Sequence, residues 1–257
     1  MTKLSVAGNK GITGAHLKII ALICMTVDHI GHAFAMDLFL ANTTLYALYY
    51  VLRFIGRTAF PLYAFMIYEG SKHSRNIKKY FLLLGLFAVV SEIPFNLVGN
   101  GTWTDLSSQN VYFTLFLGLA ACYVVRLLRE NDKNIAWSIP VTALLCASAF
   151  ILQTDYSWYG VLLIWLFAVT EKLPAYAKWL LPVIGLALIG RPWEILLHNA
   201  SMTYVNNFCL QFIGSLPALF LIYRYNGERG NIHIHKYFFY AYYPAHLLLL
   251  FLLSSIL

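Results

Sequence analysis

One short segment of the sequence concentrates the side chains that acid-base chemistry uses. Asp28 and His29 are adjacent and His32 follows one turn later, so a helix would present a carboxylate and two imidazoles together. Lys18 lies eleven residues before His29, and eleven steps of about 100° return to nearly the same helical face. At about 1.5 Å per residue, roughly 16 Å separates them along the helix. The pattern predicts a general base, His29, at one end of a stripe that begins with a cation.

The composition places this segment in a membrane. Of the 257 residues, 60% are apolar and 11% are charged, and the mean hydropathy is +0.67. Apolar side chains in this proportion exceed what one soluble core can hide, so the excess must face lipid. The sequence therefore predicts an all-α, polytopic membrane helical bundle. The net charge of +7 is scattered in short clusters, which does not indicate a nucleic-acid partner.

Nine stretches are apolar enough to predict spans of about 20 residues. They are residues 17–37, 44–71, 79–98, 110–128, 135–152, 157–171, 178–198, 205–224 and 237–257. The second is long and contains Arg53, Arg57 and Pro61, so it fits a kinked helix or a re-entrant piece followed by a shorter span. Eight to ten spans are compatible with the sequence. Residues 1–257 are predicted to form a single membrane-embedded domain.

Lysine and arginine alternate between successive loops. The loops at 38–43, 99–109, 153–156 and 199–204 contain neither residue. The other loops carry a basic rim: Lys3, Lys10, Lys72, Arg75, Lys78, Lys79, Arg126, Arg129, Lys133, Lys172, Lys178, Arg224, Arg229 and Lys236. Because positive loops stay on the cytoplasmic side, the N-terminus is predicted to be cytoplasmic and the C-terminus to lie outside.

Ionisable side chains inside the predicted spans are functional-site hypotheses, since each costs about 2.5–3.5 kcal/mol at mid-membrane on insertion scales. They are Lys18, Asp28, His29, His32, Arg53, Arg57, Glu69, Glu92, Arg191, Glu194 and His246. Mutual neutralisation is the simpler explanation for the arginines and carboxylates. It does not explain the histidines, because a neutral imidazole cancels no charge.

The basic rim fits a phosphorylated ligand, although the positive-inside bias alone would also place charge there. Coenzyme A matches the geometry, with nucleotide phosphates at the rim and a long thioester-tipped arm reaching His29. We expect the residues that bind such a ligand to be Lys18, Arg53, Lys72, Arg75 and Lys79. No metal or haem is expected.

Six blocks of the sequence resemble TraX-family membrane proteins, in the same order. They are LKIIALICMTVDHIGHAF (17–34), RFIGRTAFPLYAFMIYEGSKHSRNIKKY (53–80), SEIPFNL (91–97), NVYFTLFLGL (110–119), YNGERG (225–230) and FFYAYYPAHLLLL (238–250). That family is named after the enzyme that acetylates the N-terminus of conjugative pilin. The spacing of Lys18 and His29 is also similar to the Arg/Lys-x10-His motif of integral-membrane acyltransferases. These resemblances imply an acetyl-CoA donor, His29 as catalytic base and a tunnel through the bilayer.

The expected activity is acetyl transfer from cytoplasmic acetyl-CoA to an amine or hydroxyl at the outer side, on a peptide, pilin N-terminus, other protein or glycan. His29 takes the acceptor proton, and Asp28 orients the imidazole or offsets its charge. Arg57, with Arg53 one turn away, stabilises the oxyanion or anchors the donor. The residues expected to line the outer, acceptor-binding vestibule are Glu92, Arg191, Glu194 and His246. The expected location is a bacterial inner membrane.

Two other functions use the same buried residues. A proton-coupled transporter would use the Asp, His and Arg side chains as a relay, although the predicted spans show no paired discontinuous helices and no repeated halves. A haem-binding cytochrome would place His29 or His32 opposite His246 as axial ligands.

Overall fold

The computed structural model describes residues 11–34, 43–231, 234–235 and 237–256. These residues form eleven α-helices, a 3-10 turn at Ile135–Trp137 and no strand, so the predicted all-α bundle is confirmed. The helices are α1 (Gly14–Ala33), α2 (Thr43–Gly56), α3 (Ala59–His73), α4 (Ile77–Asn100), α5 (Val111–Glu130), α6 (Ser138–Ile151), α7 (Ser157–Thr170), α8 (Ala175–Ile189), α9 (Pro192–Leu197), α10 (Met202–Tyr223) and α11 (Phe238–Ser254). The predicted rim residues Lys3, Lys10 and Lys236, and most of loop 38–43, lie outside the described residues.

Four of the described helices are long and apolar enough to cross a membrane: α1, α4, α5 and α10. Helices α6, α7, α8 and α11 are apolar but shorter. The protein is therefore a membrane protein, and the count of nine spans stays a prediction.

Two of the predicted spans are broken helices. The stretch 44–71 divides into α2 and α3 at Arg57 and Thr58, and the Thr58 hydroxyl donates to the carbonyl of Gly214 at 2.9 Å. The stretch 178–198 divides into α8 and α9 at Arg191, whose φ is 55°. The break within 44–71 agrees with the kinked helix or re-entrant piece expected from the sequence, whereas the break within 178–198 was not expected. An apolar composition indicates which stretches lie in the membrane. Whether a stretch forms one continuous helix depends on local backbone conformation and hydrogen bonds such as these.

Helices α3 and α7 form the centre of the bundle. Helix α7 is apolar on nearly all sides and packs against α3, α5, α6 and α8, as expected for a fully enclosed helix. Leu163 and Ile164 of α7 and Leu62 of α3 are completely buried. Helix α1 packs against α2, α3 and α11, so the predicted catalytic segment lies between the core and α11.

Loop contacts show that the helices alternate in direction. At one end, the Asn226 N–H donates to the carbonyl of Ile12, and Arg126 donates to the carbonyls of Ser71 and Ser74. At the other end, backbone hydrogen bonds join Gln109 to the α6–α7 loop. The described basic loops, including those carrying Lys72, Arg126, Arg129 and Arg229, therefore gather at one end, called the inner end below. The opposite end is called the outer end.

The YNGERG loop fixes the inner end of α1. The first N–H groups of a helix have no partner within the helix. Here the carbonyls of Glu228 and Arg229 accept from Gly14 and Ala15, each at 2.9 Å. Thr13 and His16 complete a capping box on the same turn. The loop thus sets the position of α1, and of Lys18 one turn further along.

Candidate functional site

One face of α1 contacts α11 along its length. The Lys18 ammonium lies 5.6 Å from the centroid of the Phe239 ring, and the Thr26 and Tyr242 hydroxyls are 2.8 Å apart. Further out, Nδ1 of His29 lies 2.6 Å from Nε2 of His246. Lys18 and His29 both contact α11, which confirms that they share a helical face.

Hydrogen bonds fix the protonation pattern of the two histidines. His246 Nδ1 lies 2.8 Å from the backbone carbonyl of Tyr242, which can only accept, so this nitrogen carries a proton. In neutral His246 the Nε2 atom is therefore an acceptor, and His29 Nδ1–H donates to it. His29 Nε2 is then unprotonated and has no hydrogen-bond partner among the residues that the structure describes. This atom is suited to accept a proton from a substrate.

Proline and tyrosines support His246. Pro244 lies within α11 and has no N–H to donate to the carbonyl of Tyr240 one turn earlier. The Tyr112 hydroxyl donates to that carbonyl instead, at 3.0 Å. The buried Tyr243 ring lies edge-on to Tyr112 and to His29, with centroids 5.1 and 5.8 Å apart. These contacts hold α11, and with it the partner of His29, in one orientation.

The carboxylate of Asp28 is shared by two arginines. Arg53 Nη1 donates to Asp28 Oδ2 at 2.7 Å, and Arg57 Nη2 donates to Oδ1. Both carboxylate oxygens are thus engaged by arginine, and the partner of the His29 ring is His246. The orienting role expected of Asp28 is filled in this geometry by His246.

The two arginines differ in how many of their guanidinium nitrogens already donate hydrogen bonds. All three guanidinium nitrogens of Arg57 already donate, to Arg53 O, Gln211 Oε1 and Asp28 Oδ1. Arg53 donates only through Nη1 among the described residues, so its Nε and Nη2 are open. Arg57 is therefore bound through every guanidinium nitrogen, whereas two nitrogens of Arg53 make no hydrogen bond within the described residues.

Glycines allow the helices to approach closely enough for Asp28 to pair with Arg53 and Arg57, a group called the Asp28 cluster below. A Cβ at Gly56 would clash with the Asp28 side chain, and one at Gly31 would come within 3.1 Å of Leu52 Cβ. Small residues let membrane helices approach closely. Gly214 on α10 similarly leaves space for Arg57, whose Cβ is 3.0 Å from the position a Cβ would take. Helices α1, α2 and α10 thus meet where Asp28 and the arginines pair.

Comparison with known proteins identifies the family of this chain. Residues 13–254 match the family described as TraX protein. The chain belongs to the TraX family. It is 29% identical over 251 residues to a protein of Dichelobacter nodosus named as a probable fimbrial assembly protein FimC, serogroup H1, covering 94% of this chain and 96% of that protein. No solved structure matches the chain.

The sequence blocks that resemble the TraX family meet at one place. DHIG contributes Asp28, His29 and Gly31, and GRTAFPLYAF contributes Gly56 and Arg57. YYPAHLL contributes the α11 segment that carries the partner of the His29 ring. Segments far apart in the chain thus form a single cluster at the interface of α1, α2 and α11.

The residues predicted to bind the donor divide into separate groups. Lys18 and Lys79 both lie at the first turn of α11, the latter 5.8 Å from the centroid of Tyr237. Arg229 is close enough to Lys18 to act on it electrostatically. Among the described residues, none of these three cations forms an ion pair with a carboxylate. They make a basic cluster, called the α11 cation cluster below. Arg75 is exposed, and Arg53 lies in the outer half with Asp28.

Lys72 lies in a different network. It pairs with Glu171 at 2.6 Å, and Arg129 pairs with the other oxygen of the same carboxylate at 2.5 Å. Partial burial would raise the pKa of Glu171, but the hydrogen bond and charge of Lys72, with the charge of Arg129, hold that pKa below its usual range. A cavity of about 190 Å³ adjoins this network. Its two cations share one carboxylate, whereas the cations of the α11 cation cluster have no carboxylate partner among the described residues.

The other predicted vestibule residues lie away from His29. Glu92 Oε1 accepts from the Asn110 backbone and thus caps the start of α5. Arg191 pairs with Glu194 at 3.0 Å, at the break between α8 and α9. Of the four vestibule candidates, only His246 contacts His29.

The geometry of the two histidines also bears on the haem hypothesis. Two metal–imidazole bonds of about 2.0–2.1 Å would hold the ligating nitrogens about 4 Å apart. His29 and His246 are in direct hydrogen-bond contact at 2.6 Å, which leaves no room for an iron between them. His32 is exposed, and among the described residues the ring contacts of His246 are with His29, Tyr242 and Tyr243.

Sequence reasoning missed Asp155 as a site residue. It lies in the α6–α7 loop at the outer end, yet it interacts electrostatically with Arg57, Asp28 and Tyr243. Desolvation by neighbouring protein atoms raises the pKa of Asp155 to about 6, against the lowering effect of the Arg57 charge. In the sequence, Asp155 is a single acidic residue in an outer loop without Lys or Arg, and this pattern does not indicate which residues lie near it in the fold.

Proposed function

We propose that this protein is a membrane acetyltransferase that moves an acetyl group from acetyl-CoA at the inner end to an amine or hydroxyl acceptor at the outer end. The observation that carries the proposal is the His29–His246 hydrogen bond, which leaves His29 Nε2 available as a base. Lys18 lies on the same face of α1 toward the inner end. A base and a cation about 16 Å apart suit a donor that has phosphates at one end and a thioester at the other.

The described side chains support each proton movement of such a transfer. His29 Nε2 accepts the acceptor proton as its nitrogen or oxygen attacks the thioester carbonyl. The imidazolium that forms donates through Nδ1 to His246. Arg53, with its open Nε and Nη2, can donate to the oxyanion. As the C–S bond breaks, the proton on His29 passes to the departing sulfur.

The α11 cation cluster supports donor binding from the inner end. Lys18, Lys79 and Arg229 have no carboxylate partner among the described residues, so their charge is available for phosphate groups. The YNGERG loop fixes Lys18 relative to Arg229 by backbone hydrogen bonds. We place the inner end at the cytoplasm, because the basic loops gather there.

Family membership supports an acceptor connected with pilus assembly. The Dichelobacter nodosus relative is named as a probable fimbrial assembly protein, and the TraX family is associated with pilin acetylation. We therefore place this protein in the bacterial inner membrane, as a multi-pass protein surrounded by lipid. Its acceptor is a peptide, protein or glycan at the outer face, and it has no nucleic-acid partner.

The test is acetyl transfer by the purified protein in lipid, with labelled acetyl-CoA and an acceptor peptide that has a free N-terminus. His29→Gln removes the titrating nitrogen but keeps similar size, so turnover should fall by about 10²-fold or more. Affinity for acetyl-CoA, measured by calorimetry, should change little. His32→Gln is the matched control, because His32 is exposed on the same helix. Undiminished turnover by His29→Gln would remove His29 as the base.

A proton-coupled transporter is the second candidate, and the two broken helices favour it. Breaks at Arg57 and Arg191 place charged side chains at helix ends, a common feature of transporter sites. Asp28 is taken up by both arginines, which leaves it no free oxygen for a proton relay. Proteoliposomes distinguish the two functions, since a transporter moves protons with solute in the absence of acetyl-CoA.

A further inference from the structure

Helices α1 and α11 meet along a seam that runs from the cation Lys18 to the proposed base. On α1 the seam contains Lys18, Thr26 and His29, which lie within about 80° of one another around the helix. Thr26 faces Tyr242 of α11, and their hydroxyl oxygens are 2.8 Å apart. Lys18, Thr26 and Tyr242 are partly exposed rather than buried. A ligand that lies along the seam can therefore contact them between the cation and the base.

Thr26 determines the direction of its hydrogen bond with Tyr242. A hydroxyl has a single hydrogen to donate, and a carbonyl can only accept. The Thr26 hydroxyl donates its hydrogen to the backbone carbonyl of Leu22 at 2.9 Å. The Tyr242 hydroxyl therefore donates to Thr26, and its own oxygen accepts no hydrogen bond within the described residues. Toward a ligand, Tyr242 is an acceptor.

The contacts of the Tyr242 ring fix this acceptor relative to the base. The ring stacks on His246 with centroids 5.0 Å apart, and His246 stacks on His29 with centroids 4.9 Å apart. His246 Nδ1 also donates to the backbone carbonyl of Tyr242. Along α1, Thr26 lies three residues before His29, which is about 4.5 Å toward the inner end. The Tyr242 hydroxyl thus occupies a defined position just inward of the base.

The proposed donor carries an N–H group at a matching distance from its thioester. In acetyl-CoA the thioester sulfur is followed by two methylenes and then by the nitrogen of an amide. This length is similar to the axial distance of about 4.5 Å between Thr26 and His29. The amide nitrogen donates one hydrogen bond, and leaving its N–H without a partner inside a membrane is costly. The unused acceptor on Tyr242 satisfies that N–H.

We propose that Tyr242 accepts a hydrogen bond from the amide N–H next to the thioester and so holds the thioester carbonyl beside His29. The inference rests on the proposed acetyltransferase function, and it adds Tyr242 to the residues that bind the donor. It also specifies the class of donor, because the thioester of a simple alkyl thiol has no N–H at this position. The protein therefore selects thioesters carried on a pantetheine arm.

The test compares acetyl-CoA with an analogue in which an ester oxygen replaces the nitrogen of that amide. The analogue keeps the phosphates, the thioester and the length of the arm but has no N–H. The wild-type protein in lipid should use the analogue with a kcat/KM about fivefold lower, the effect of losing one hydrogen bond. Tyr242→Phe keeps the ring and removes the acceptor oxygen. It should lower kcat/KM for acetyl-CoA by about fivefold and use the two donors equally well.

A second tyrosine provides the matched control. Tyr123 is a partly exposed residue of α5 whose ring packs against Phe81 of α4, with centroids 6.0 Å apart. Tyr123→Phe should therefore keep the preference of the wild type for acetyl-CoA over the analogue.

The outcomes separate the inference from the function on which it rests. Equal use of both donors by the wild-type protein would overturn the inference alone, and this comparison does not depend on the folding of any variant. A Tyr242→Phe variant that loses activity but keeps the full preference for acetyl-CoA would also overturn it, because Tyr242 would then only support His246. Absence of transfer from either donor by the wild-type protein would overturn the acetyltransferase function as well.

Discussion

Two clusters in this molecule have the same charges but different surroundings. In the outer half, Asp28 is shared by Arg53 and Arg57, and at the inner end Glu171 is shared by Lys72 and Arg129. The Asp28 cluster is the more enclosed of the two, with side-chain exposures of 13%, 19% and 6% for Asp28, Arg53 and Arg57, against 22%, 42% and 17% for Glu171, Lys72 and Arg129. The first adjoins the histidine pair, and the second joins the ends of α3, α5 and α7.

The comparison shows that charge composition does not determine role. Desolvated charges interact strongly and are costly to leave unpaired, while exposed pairs contribute little. Within the described residues, the Asp28 cluster also leaves Nε and Nη2 of Arg53 without a hydrogen-bond partner. We therefore interpret it as part of the catalytic site and the Glu171 cluster as a clamp between helix ends.

The largest expected difference between the two clusters is the loss of acetyl transfer when the charge of Asp28 or of Glu171 is removed. Asp28→Asn leaves two enclosed arginines without a counter-charge, and removing one partner of a buried pair costs about 3–5 kcal/mol. Acetyl transfer should fall by about 10²-fold, because the groups around the oxyanion lose their positions. Glu171→Gln should change transfer less than twofold. Thermal midpoints and turnover in lipid measure both, and similar losses in the two variants would contradict the comparison.

Sequence reasoning identified the members of the Asp28 cluster but not its geometry. Residue type and span assignment single out Asp28, Arg53, Arg57 and His29, because ionisable groups in apolar stretches are rare. The eleven-residue spacing also identifies the face of α1 that meets α11. Pairing between helices depends on which faces pack together, which is a long-range property. His246 was therefore assigned to the acceptor vestibule, although it is the hydrogen-bond partner of His29.

The close approach at Gly56 provides the next test. A Cβ at Gly56 meets the Asp28 side chain, so Gly56→Ala must push α2 away from α1. Catalysis depends on distances of about 1 Å or less, and transfer should fall by about tenfold or more. Gly99→Ala is the matched control, since nothing lies within 4 Å of its Cβ position on α4. Full activity of Gly56→Ala would mean that the Asp28 cluster is not needed in this arrangement.

Donor binding tests the comparison at the inner end, where Lys18 has no carboxylate partner among the described residues and Lys72 pairs with Glu171. Lys18→Ala should weaken acetyl-CoA binding by about fivefold to tenfold, the effect of losing one charge-assisted contact, and added salt should reduce the difference. Lys72→Ala should leave the affinity within twofold of wild type. Calorimetry in low-salt buffer gives both values. A larger effect of Lys72→Ala would move the donor phosphates to the cavity beside Glu171.

The smallest expected effect is a pH dependence of folding stability that comes from the Glu171 cluster. Lys72 and Arg129 hold the pKa of Glu171 below its usual value, so the pair stabilises the folded state above the unfolded pKa of about 4.3. That contribution is lost as the pH falls through the lower, folded value. Because Lys72 is 42% exposed, we expect at most about 1 kcal/mol. The thermal midpoint of Glu171→Gln should therefore lie slightly below wild type at pH 7 and converge with it near pH 3. A difference that grew on acidification would show that Glu171 is not held ionised by these cations.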